Sequence, residues 1–449
     1  MPRLGAITRE RRNTLPLRDC NWFAEALNQT GLVKGGSYLV SGPPGAAKTT
    51  LSLQLATDVA AQGHRVAYVT FEQSIEDLKA IVYERIYRHL AVPALASVSN
   101  SSLPLSDGLV QASRLLDAND KFSRRCARIE ENLYLEDSVR SVEGLSAFLS
   151  ERIRLGDLRG TELIIVDSLQ GQGLSGAATK TYGQVYEFMN RAKAAGIPVI
   201  LTCHVTKAGS IAGPRSLEHN VDCVVYMRKA MRLRPLFVPK NRFGPDRHEP
   251  SILVMNRTGV LEPSKHTSTV ARLAHGYLPG TERAVEVQAT VKLPKFGETA
   301  KIKAPYLPRE VIRQIVEIVG GLSEIDISEM TFDINCAIPG SRPFSRVLDL
   351  PLAISILSAY LQRPIPGRSL FIGELDLFRN IRPIDHADRI QALADMLSDG
   401  PGDPFRTIYL NPESAVELNT VAKNLRGASL VAVMNLDDAV AKVWPDIVD

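Results

Sequence analysis

The segment SYLVSGPPGAAKTT, residues 37–50, combines a predicted strand, a glycine-rich loop and the start of a predicted helix. Backbone N–H groups at the start of such a helix point toward phosphate oxygens. A lysine at its first position meets the terminal phosphates, and the hydroxyl that follows binds Mg²⁺. We therefore interpret the segment as a nucleotide-binding loop, with a bare glycine- and proline-rich turn as the alternative. Its predicted nucleotide-binding residues are Gly42, Pro43, Pro44, Gly45, Ala46, Ala47, Lys48, Thr49 and Thr50.

One position of this loop departs from the usual pattern. The motif GxxxxGK[ST] has glycine before the lysine, whereas this sequence has Ala47. Alanine fits there on the condition that the residue has helical dihedral angles, because a positive φ is costly for a residue with a Cβ.

Two acids come directly after predicted buried strands. Asp167 ends the run Leu163–Val166, where a carboxylate holds the water shell of Mg²⁺ beside the loop or merely caps the next turn. Glu72 follows the strand that ends at Thr70. It either polarises a water molecule that attacks the γ-phosphate or is simply the first-turn acid of the next helix. The residues alone favour neither interpretation of Glu72.

Composition limits the class of protein. The chain has 449 residues, of which 45% are hydrophobic and 23% charged, so globular domains are expected and disorder is excluded for most of the length. A net charge of +4 predicts no particular partner. The five cysteines are far apart and form no CxxC pair, which argues against a disulfide framework or a zinc ribbon and favours a reducing, cytoplasmic setting. Neither a secretory signal nor a membrane-spanning run is visible.

Strands and helices alternate along the chain, which predicts a mostly parallel sheet flanked by helices. The sequence becomes less periodic around residues 262–282, so we expect an ATPase-type α/β domain over 1–270 and a second α/β domain over 271–449. Residues 92–107 are rich in serine, proline and alanine and are expected to form a loop. No internal repeat is evident.

Basic residues are concentrated between positions 228 and 247, where seven lysines and arginines face one acid, Asp246. Such a cluster favours a polyanion, either ATP phosphates or a nucleic-acid backbone, over a merely solvated hairpin. Two segments, 170–181 and 206–214, combine small residues with Lys180 and Lys207. They suit a track for DNA phosphates, and they also suit a plain mobile loop.

Together these segments resemble the RadA/Sms family, which belongs to the RecA/KaiC group of ATPases. The run CHVTKAGSIAGPRSLEH, residues 203–219, closely follows a family segment, and KNRFG at residues 240–244 matches a family signature. The resemblance covers roughly residues 14–449. It implies a RecA-like P-loop ATPase core followed by a Lon-protease-like α/β domain.

The resemblance also implies roles for individual residues. Lys48, Thr49 and Asp167 match the residues that hold ATP and Mg²⁺, with Thr49 and Asp167 as the metal ligands. Glu72 matches the catalytic glutamate, although the second acid common in the group is replaced by Gln73. His204 matches the residue that senses the γ-phosphate. Lys240 and Arg242 match residues that reach a neighbouring subunit's ATP. Lys180, Lys207 and Arg215 match positions in DNA-facing channel loops.

The function implied is that of an ATP-driven homo-hexameric ring. Such a ring moves on single-stranded or branched DNA in recombination and repair, with a RecA-type recombinase as a further partner and no role for a membrane. The family's four-cysteine zinc finger has no counterpart in this sequence. The alternative is a KaiC-like regulatory or scaffold ATPase that does not bind DNA.

The C-terminal region is similar to a Lon-protease-like domain at LDLPLA (348–353), IGELDL (372–377) and IRPI (381–384). Lon proteases use a serine nucleophile activated by a lysine. Leu348 takes the place of that serine and Asp388 that of the lysine, so the resemblance implies a pseudo-protease. Ser345 is the residue on which the alternative, an active protease, would depend.

Overall fold

The structure is a computed structural model. The structure describes residues 13–91, 120–139, 141–156, 158–169, 178–204, 216–264, 273–294, 298–305, 307–322, 325–327, 329–336, 338, 343–399, 404–422 and 424–447. Within these ranges no helix is both long enough and apolar enough to cross a membrane.

The chain divides into two compact units. The first contains Met1–Arg228, Leu236–Arg247 and Leu253–Pro263. The second contains Lys229–Pro235, His248–Ile252 and Ser264–Asp449. The division at residue 270 that the sequence suggests remains a prediction.

The N-terminal part alternates strands with helices, as expected for crossover connections. Its strands are β1 (Thr14–Pro16), β2 (Gly31–Val33), β3 (Ser37–Gly42), β4 (Arg65–Thr70), β5 (Leu133–Glu136), β6 (Thr161–Asp167), β7 (Val199–His204), β8 (Cys223–Met227), β9 (Leu233–Asn241), β10 (Arg247–Met255) and β11 (Leu261–Pro263). Its helices are α1 (Asn21–Ala26), α2 (Lys48–Ala61), α3 (Ile75–Ile81), α4 (Asp120–Asn132), α5 (Val142–Phe148), α6 (Ala178–Ala194) and α7 (Ser216–Asn220).

The large sheet has the strand order β11-β10-β9-β8-β3-β7-β6-β4-β5. Every pair from β8 to β5 is parallel, whereas β9 runs antiparallel to β8. The carboxyl ends of β3, β7, β6 and β4 therefore meet at one edge of the sheet, where ligands bind in open α/β sheets. This strand order confirms the predicted α/β architecture, a mostly parallel sheet flanked by helices.

Strand β3 is buried on both faces, which fixes the loop at its carboxyl end. Val40 packs in one core with Leu51 and Leu55 of α2. Leu39 packs in the opposite core with Val185 and Phe188 of α6. Because a strand covered on both sides has no polar face, its sequence is continuously apolar or small.

A second sheet lies in the C-terminal part, with the order β14-β15-β13-β12-β16-β17-β18. Its strands are β12 (Leu273–Gly276), β13 (Val285–Lys292), β14 (Ile302–Lys303), β15 (Thr331–Cys336), β16 (Ser369–Phe371), β17 (Thr407–Leu410) and β18 (Ser429–Ala432). The helices of this part are α8 (Arg309–Gly320), α9 (Asp349–Leu361), α10 (Ala387–Asp399), α11 (Pro412–Val421) and α12 (Leu436–Val443).

The sequence pattern predicts helices over residues 81–90 and 144–155, and both predictions are wrong in extent. The first helix begins at Ile75, because the Ser74 side chain caps it by accepting a hydrogen bond from the Asp77 backbone. Within the two regions, Val82–Tyr87 and Leu149–Arg154 are π-helical. Strand β12 lies in the segment expected to be irregular, since pairing with β13 and β16 overrides its weak local pattern. Residues 92–107 lie outside the described ranges.

Candidate nucleotide-binding site

The glycine-rich loop runs from the end of β3 to the start of α2. A Cβ on Gly42 would lie 2.3 Å from the carbonyl oxygen of Met227 in the adjacent strand, so only glycine fits there. Gly45 and Ala47 have left-handed backbone conformations, with φ of 78° and 70°. The condition of helical dihedral angles at Ala47 is therefore not met, because the chain turns sharply at this residue before α2 begins. A left-handed conformation costs a residue with a Cβ about 1 kcal/mol.

Lys48 folds back over this loop. Its Nζ donates to the carbonyl oxygens of Gly42 at 2.9 Å and Pro43 at 3.1 Å, and it lies 3.1 Å from Nδ1 of His204. Burial lowers the pKa of Lys48 below its ordinary value, against the opposing effect of nearby negative charge. These contacts hold the ammonium at the loop, where the terminal phosphates of a nucleotide would lie.

Asp167 is held by two hydroxyl groups at the carboxyl end of β6. The hydroxyl of Tyr68 donates to Oδ2 at 2.7 Å, and that of Thr202 donates to Oδ1. The carboxylate is 5% exposed. Since each oxygen accepts a single hydrogen bond from these hydroxyls, both retain lone pairs for a further ligand.

Glu72 lies beside Asp167 because β4 and β6 are adjacent parallel strands. Its Oε1 accepts a hydrogen bond from Ser168 Oγ at 2.6 Å, and its Oε2 lies 3.6 Å from Nε2 of His204. The structure thus brings together Lys48, Glu72, Asp167 and His204, and the roles expected for them remain predictions.

The predicted metal ligands at this edge of the sheet are the Thr49 hydroxyl and the Asp167 carboxylate. Thr49 lies in the first turn of α2, and Asp167 ends β6. Mg²⁺ takes oxygen ligands and in such sites is held by one or two protein groups together with substrate phosphates. The donor set fits that pattern. Among the described residues, no group of three or more His, Cys, Asp or Glu forms a separate metal cluster.

The two cations of the KNRFG segment lie toward the opposite edge of the sheet. Asn241, which stands between Lys240 and Arg242, is in register through β8 with Tyr38 near the start of β3. Gly42 is four residues further along β3, about 13 Å at roughly 3.3 Å per residue. The structure therefore does not bring these cations to the phosphate loop of the same chain.

The short helix α7 holds both cations. Lys240 Nζ donates to the carbonyl oxygens of Glu218 at 2.6 Å and His219 at 2.8 Å. The Arg242 guanidinium donates to the carbonyl oxygen of His219 at 3.3 Å and lies 3.5 Å from Asp222 Oδ1. Burial lowers the pKa of Lys240, and the Arg242 charge adds to the effect.

Most of the predicted DNA-facing residues lie outside the part of the chain that the structure describes. Lys207 and Arg215 lie outside the described residues, and only the backbone of Lys180 is described, in the first turn of α6. Their roles remain predictions.

The sequence-based prediction did not include three hydroxyl donors, Tyr68, Ser168 and Thr202. Ser168 directly follows Asp167, so its position next to the site was readable from the sequence. Tyr68 and Thr202 lie inside buried strands, where nothing in the sequence separates them from core residues.

The positions compared with the serine and lysine of Lon proteases are Leu348, at the start of α9, and Asp388, on α10. Leu348 is fully buried, and the Asp349 carboxylate accepts a hydrogen bond from Arg346 Nε at 2.7 Å. Burial raises the pKa of Asp349 to about 7, against the opposing charge of Arg346. Asp388 is exposed on α10, and Ser345 is half-buried.

A parallel sheet that carries a phosphate loop after one strand and acids after two adjacent strands defines a P-loop ATPase. A family model described as an AAA domain matches residues 9–210.

Several relatives named DNA repair protein RadA match most of the chain. The protein from Streptococcus pneumoniae is 26% identical, over 92% of this chain and 88% of its own. The protein from Listeria monocytogenes is 26% identical over 93% and 81%, and that from Helicobacter pylori is 28% identical over 77% and 70%. These matches support assignment of the chain to the RadA/Sms family, as the KNRFG segment and the phosphate loop predicted.

Among solved structures, one described as an ATPase domain is similar at 15% identity, with a TM-score of 0.40 over 57% of this chain and 94% of that chain. A likeness of this extent adds nothing to the fold assignment, which rests on the strand order.

Proposed function

We propose that the chain is an ATP-hydrolysing motor of the RadA type that works as a hexameric ring on single-stranded or branched DNA in recombination and repair. The observation that carries the proposal is the position of the loop lysine, two acids and a histidine at one edge of the sheet and of the KNRFG cations toward the other. The relatives named DNA repair protein RadA supply the DNA context.

The chemistry proposed for the site is attack of water on the γ-phosphorus of ATP. Lys48 contacts the terminal phosphate oxygens, and Thr49 with Asp167 would hold Mg²⁺, which neutralises phosphate charge when bound. Glu72 accepts the proton of the attacking water as the bond to the ADP oxygen breaks. His204 lies between the lysine and this acid, at 3.1 Å and 3.6 Å, which supports the proposed role of sensing the γ-phosphate.

Lys240 and Arg242 would complete the site of a neighbouring copy. An arginine placed on the transferring phosphoryl group stabilises the charge that develops there. Along the strand direction, the backbone between the two cations lies roughly 13 Å from Gly42 of its own chain. A head-to-tail contact, in which one edge of a subunit meets the opposite edge of the next, generates a ring when the rotation between neighbouring subunits closes.

DNA would run along the channel loops, with Lys180, Lys207 and Arg215 on its phosphates. Each phosphate contact releases counterions, so binding should weaken steeply with salt. A RecA-type recombinase is the further protein partner that we propose.

For the second unit we propose a platform role without proteolysis. The fully buried Leu348 at the start of α9 supports this, since it offers no nucleophile. Peptide cleavage that disappears in the Ser345→Ala variant would contradict it.

The proposal is tested by ATPase assay with and without single-stranded DNA. We expect DNA to stimulate hydrolysis in the wild type, and Lys48→Ala to lower the rate by about 100-fold because it removes a phosphate contact. Lys34→Ala, which removes an exposed lysine paired with Glu162 at 3.5 Å, is the matched control and should leave the rate unchanged. A hydrolysis rate indifferent to DNA would contradict the motor and favour a regulatory ATPase.

A further inference from the structure

Strands β4 and β6 carry the two acids of the site and are tied together by two hydrogen bonds that cross between them. Tyr68 on β4 donates to Asp167 at the end of β6, at 2.7 Å. Ser168, directly after β6, donates to Glu72, directly after β4, at 2.6 Å. Each acid therefore accepts a hydrogen bond from a hydroxyl that lies on, or directly after, the strand that carries the other acid.

We propose that Tyr68 and Ser168 are positioning residues with separate tasks, Tyr68 for the metal-binding acid and Ser168 for the water-activating acid. The inference rests on the proposed function, because it assigns Asp167 to the metal and Glu72 to the attacking water.

The surroundings of the two acids explain why the hydroxyls of Tyr68 and Ser168 have different effects on them. Tyr68 is fully buried, and its hydroxyl fixes the orientation of a carboxylate that is itself 5% exposed. A second donor, Thr202, holds the other oxygen of Asp167. With each oxygen engaged once, the remaining lone pairs keep a defined direction for a metal ion.

Glu72 is far less confined, since 39% of its side chain is exposed. A free glutamate side chain samples several rotamers, and the bond from Ser168 restricts them. Ser168 is 2% exposed and directly follows β6. Restricting Glu72 serves the hydrolytic step, whereas binding of nucleotide and metal does not depend on the Glu72 rotamer.

The test compares Tyr68→Phe with Ser168→Ala in the full chain. Metal affinity is measured with Mn²⁺ by electron paramagnetic resonance, with a non-hydrolysable ATP analogue bound, and kcat is measured at saturating Mg²⁺. We expect Tyr68→Phe to weaken Mn²⁺ binding about 10-fold, as for other outer-sphere supports of a metal ligand, and to change kcat less than about threefold. We expect Ser168→Ala to lower kcat about 10-fold and to leave Mn²⁺ affinity unchanged.

Two further variants keep the comparison decisive. Thr202→Val removes the second hydroxyl on Asp167 and should follow Tyr68→Phe. Tyr360→Phe is the matched control, because it removes a fully buried tyrosine hydroxyl that donates to Asp326 O at 2.8 Å in the second unit. It should change neither quantity.

The outcomes separate the inference from the proposed function. If the wild type hydrolyses ATP and both variants change the same quantity, or both match Tyr360→Phe, the division of tasks is wrong and the proposed function stands. If the wild type binds no nucleotide and hydrolyses no ATP, both fall together.

Discussion

The Nζ atom of Lys48 lies 3.1 Å from Nδ1 of His204. An ammonium only donates hydrogen bonds, so Nδ1 is the acceptor and the ring proton of the neutral imidazole is on Nε2. That second nitrogen lies 3.6 Å from Oε2 of Glu72. The imidazole therefore lies between the loop lysine and the acid that we assign to the attacking water.

Replacing His204 with alanine should uncouple these two groups. We expect kcat to fall by about 100-fold, since placement of the general base is lost, while the Kd for ATP changes less than about threefold. Single-turnover hydrolysis and nucleotide titration separate the two quantities. The control is His64→Ala. His64 also faces a glutamate, Glu162, at 2.7 Å and has the same 29% side-chain exposure as His204. It directly precedes β4, at the end of the strand opposite Glu72. Unchanged hydrolysis in His204→Ala would refute the assignment.

The left-handed conformation of Ala47 predicts a stabilising substitution. Ala47→Gly should raise the free energy of unfolding by about 1 kcal/mol, because glycine adopts a positive φ without steric cost. For a unit of this size that is a rise in Tm of about 2–4 °C. Ala46→Gly is the neighbouring control and should lower Tm, since Ala46 is fully buried and does not have a positive φ. A lowered Tm in both variants would show that the strain at Ala47 is not real.

The buried Asp349 predicts a pH dependence of stability. Its pKa is about 7 in the folded chain, above its ordinary value of 3.8, because burial disfavours the charged form. A raised folded-state pKa means that the folded state binds the proton more tightly, so this contribution is fully present below pH about 4 and is lost as pH rises through about 7. Wild-type stability in the second unit should therefore decrease between those values by on the order of 1–4 kcal/mol.

Asp349→Asn checks this prediction, because asparagine does not titrate. The difference in Tm between the variant and the wild type is measured at pH 5 and pH 8. The Tm of the variant relative to that of the wild type should be higher at pH 8 than at pH 5. A difference independent of pH would contradict the raised pKa.

The phosphate loop and its acids were readable from the sequence because their signals are local. The loop motif, the strand before it and the helix after it occupy consecutive residues, and Asp167 and Glu72 each directly follow a short apolar run. Parallel pairing then brings strand ends together without further information.

Contacts between distant parts of the chain were not readable. Tyr68 and Asp167 are 99 positions apart, and their hydrogen bond depends on the register of β4 against β6. The left-handed φ of Ala47 is likewise set by the surrounding loop rather than by alanine's own preference. Strand β12 became a strand only through its partners in the second sheet.

The central claim, that each ATP site is completed by cations of an adjoining copy, is tested most directly by mixing two inactive variants. Lys48→Ala lacks the loop lysine, and Arg242→Ala lacks the cation that we propose to reach the neighbour. Random mixing at equal amounts leaves about a quarter of the interfaces with both groups intact, so ATPase activity should reappear in the mixture. Arg242→Ala retaining wild-type activity, or a mixture as inactive as its components although both variants assemble, would contradict the claim.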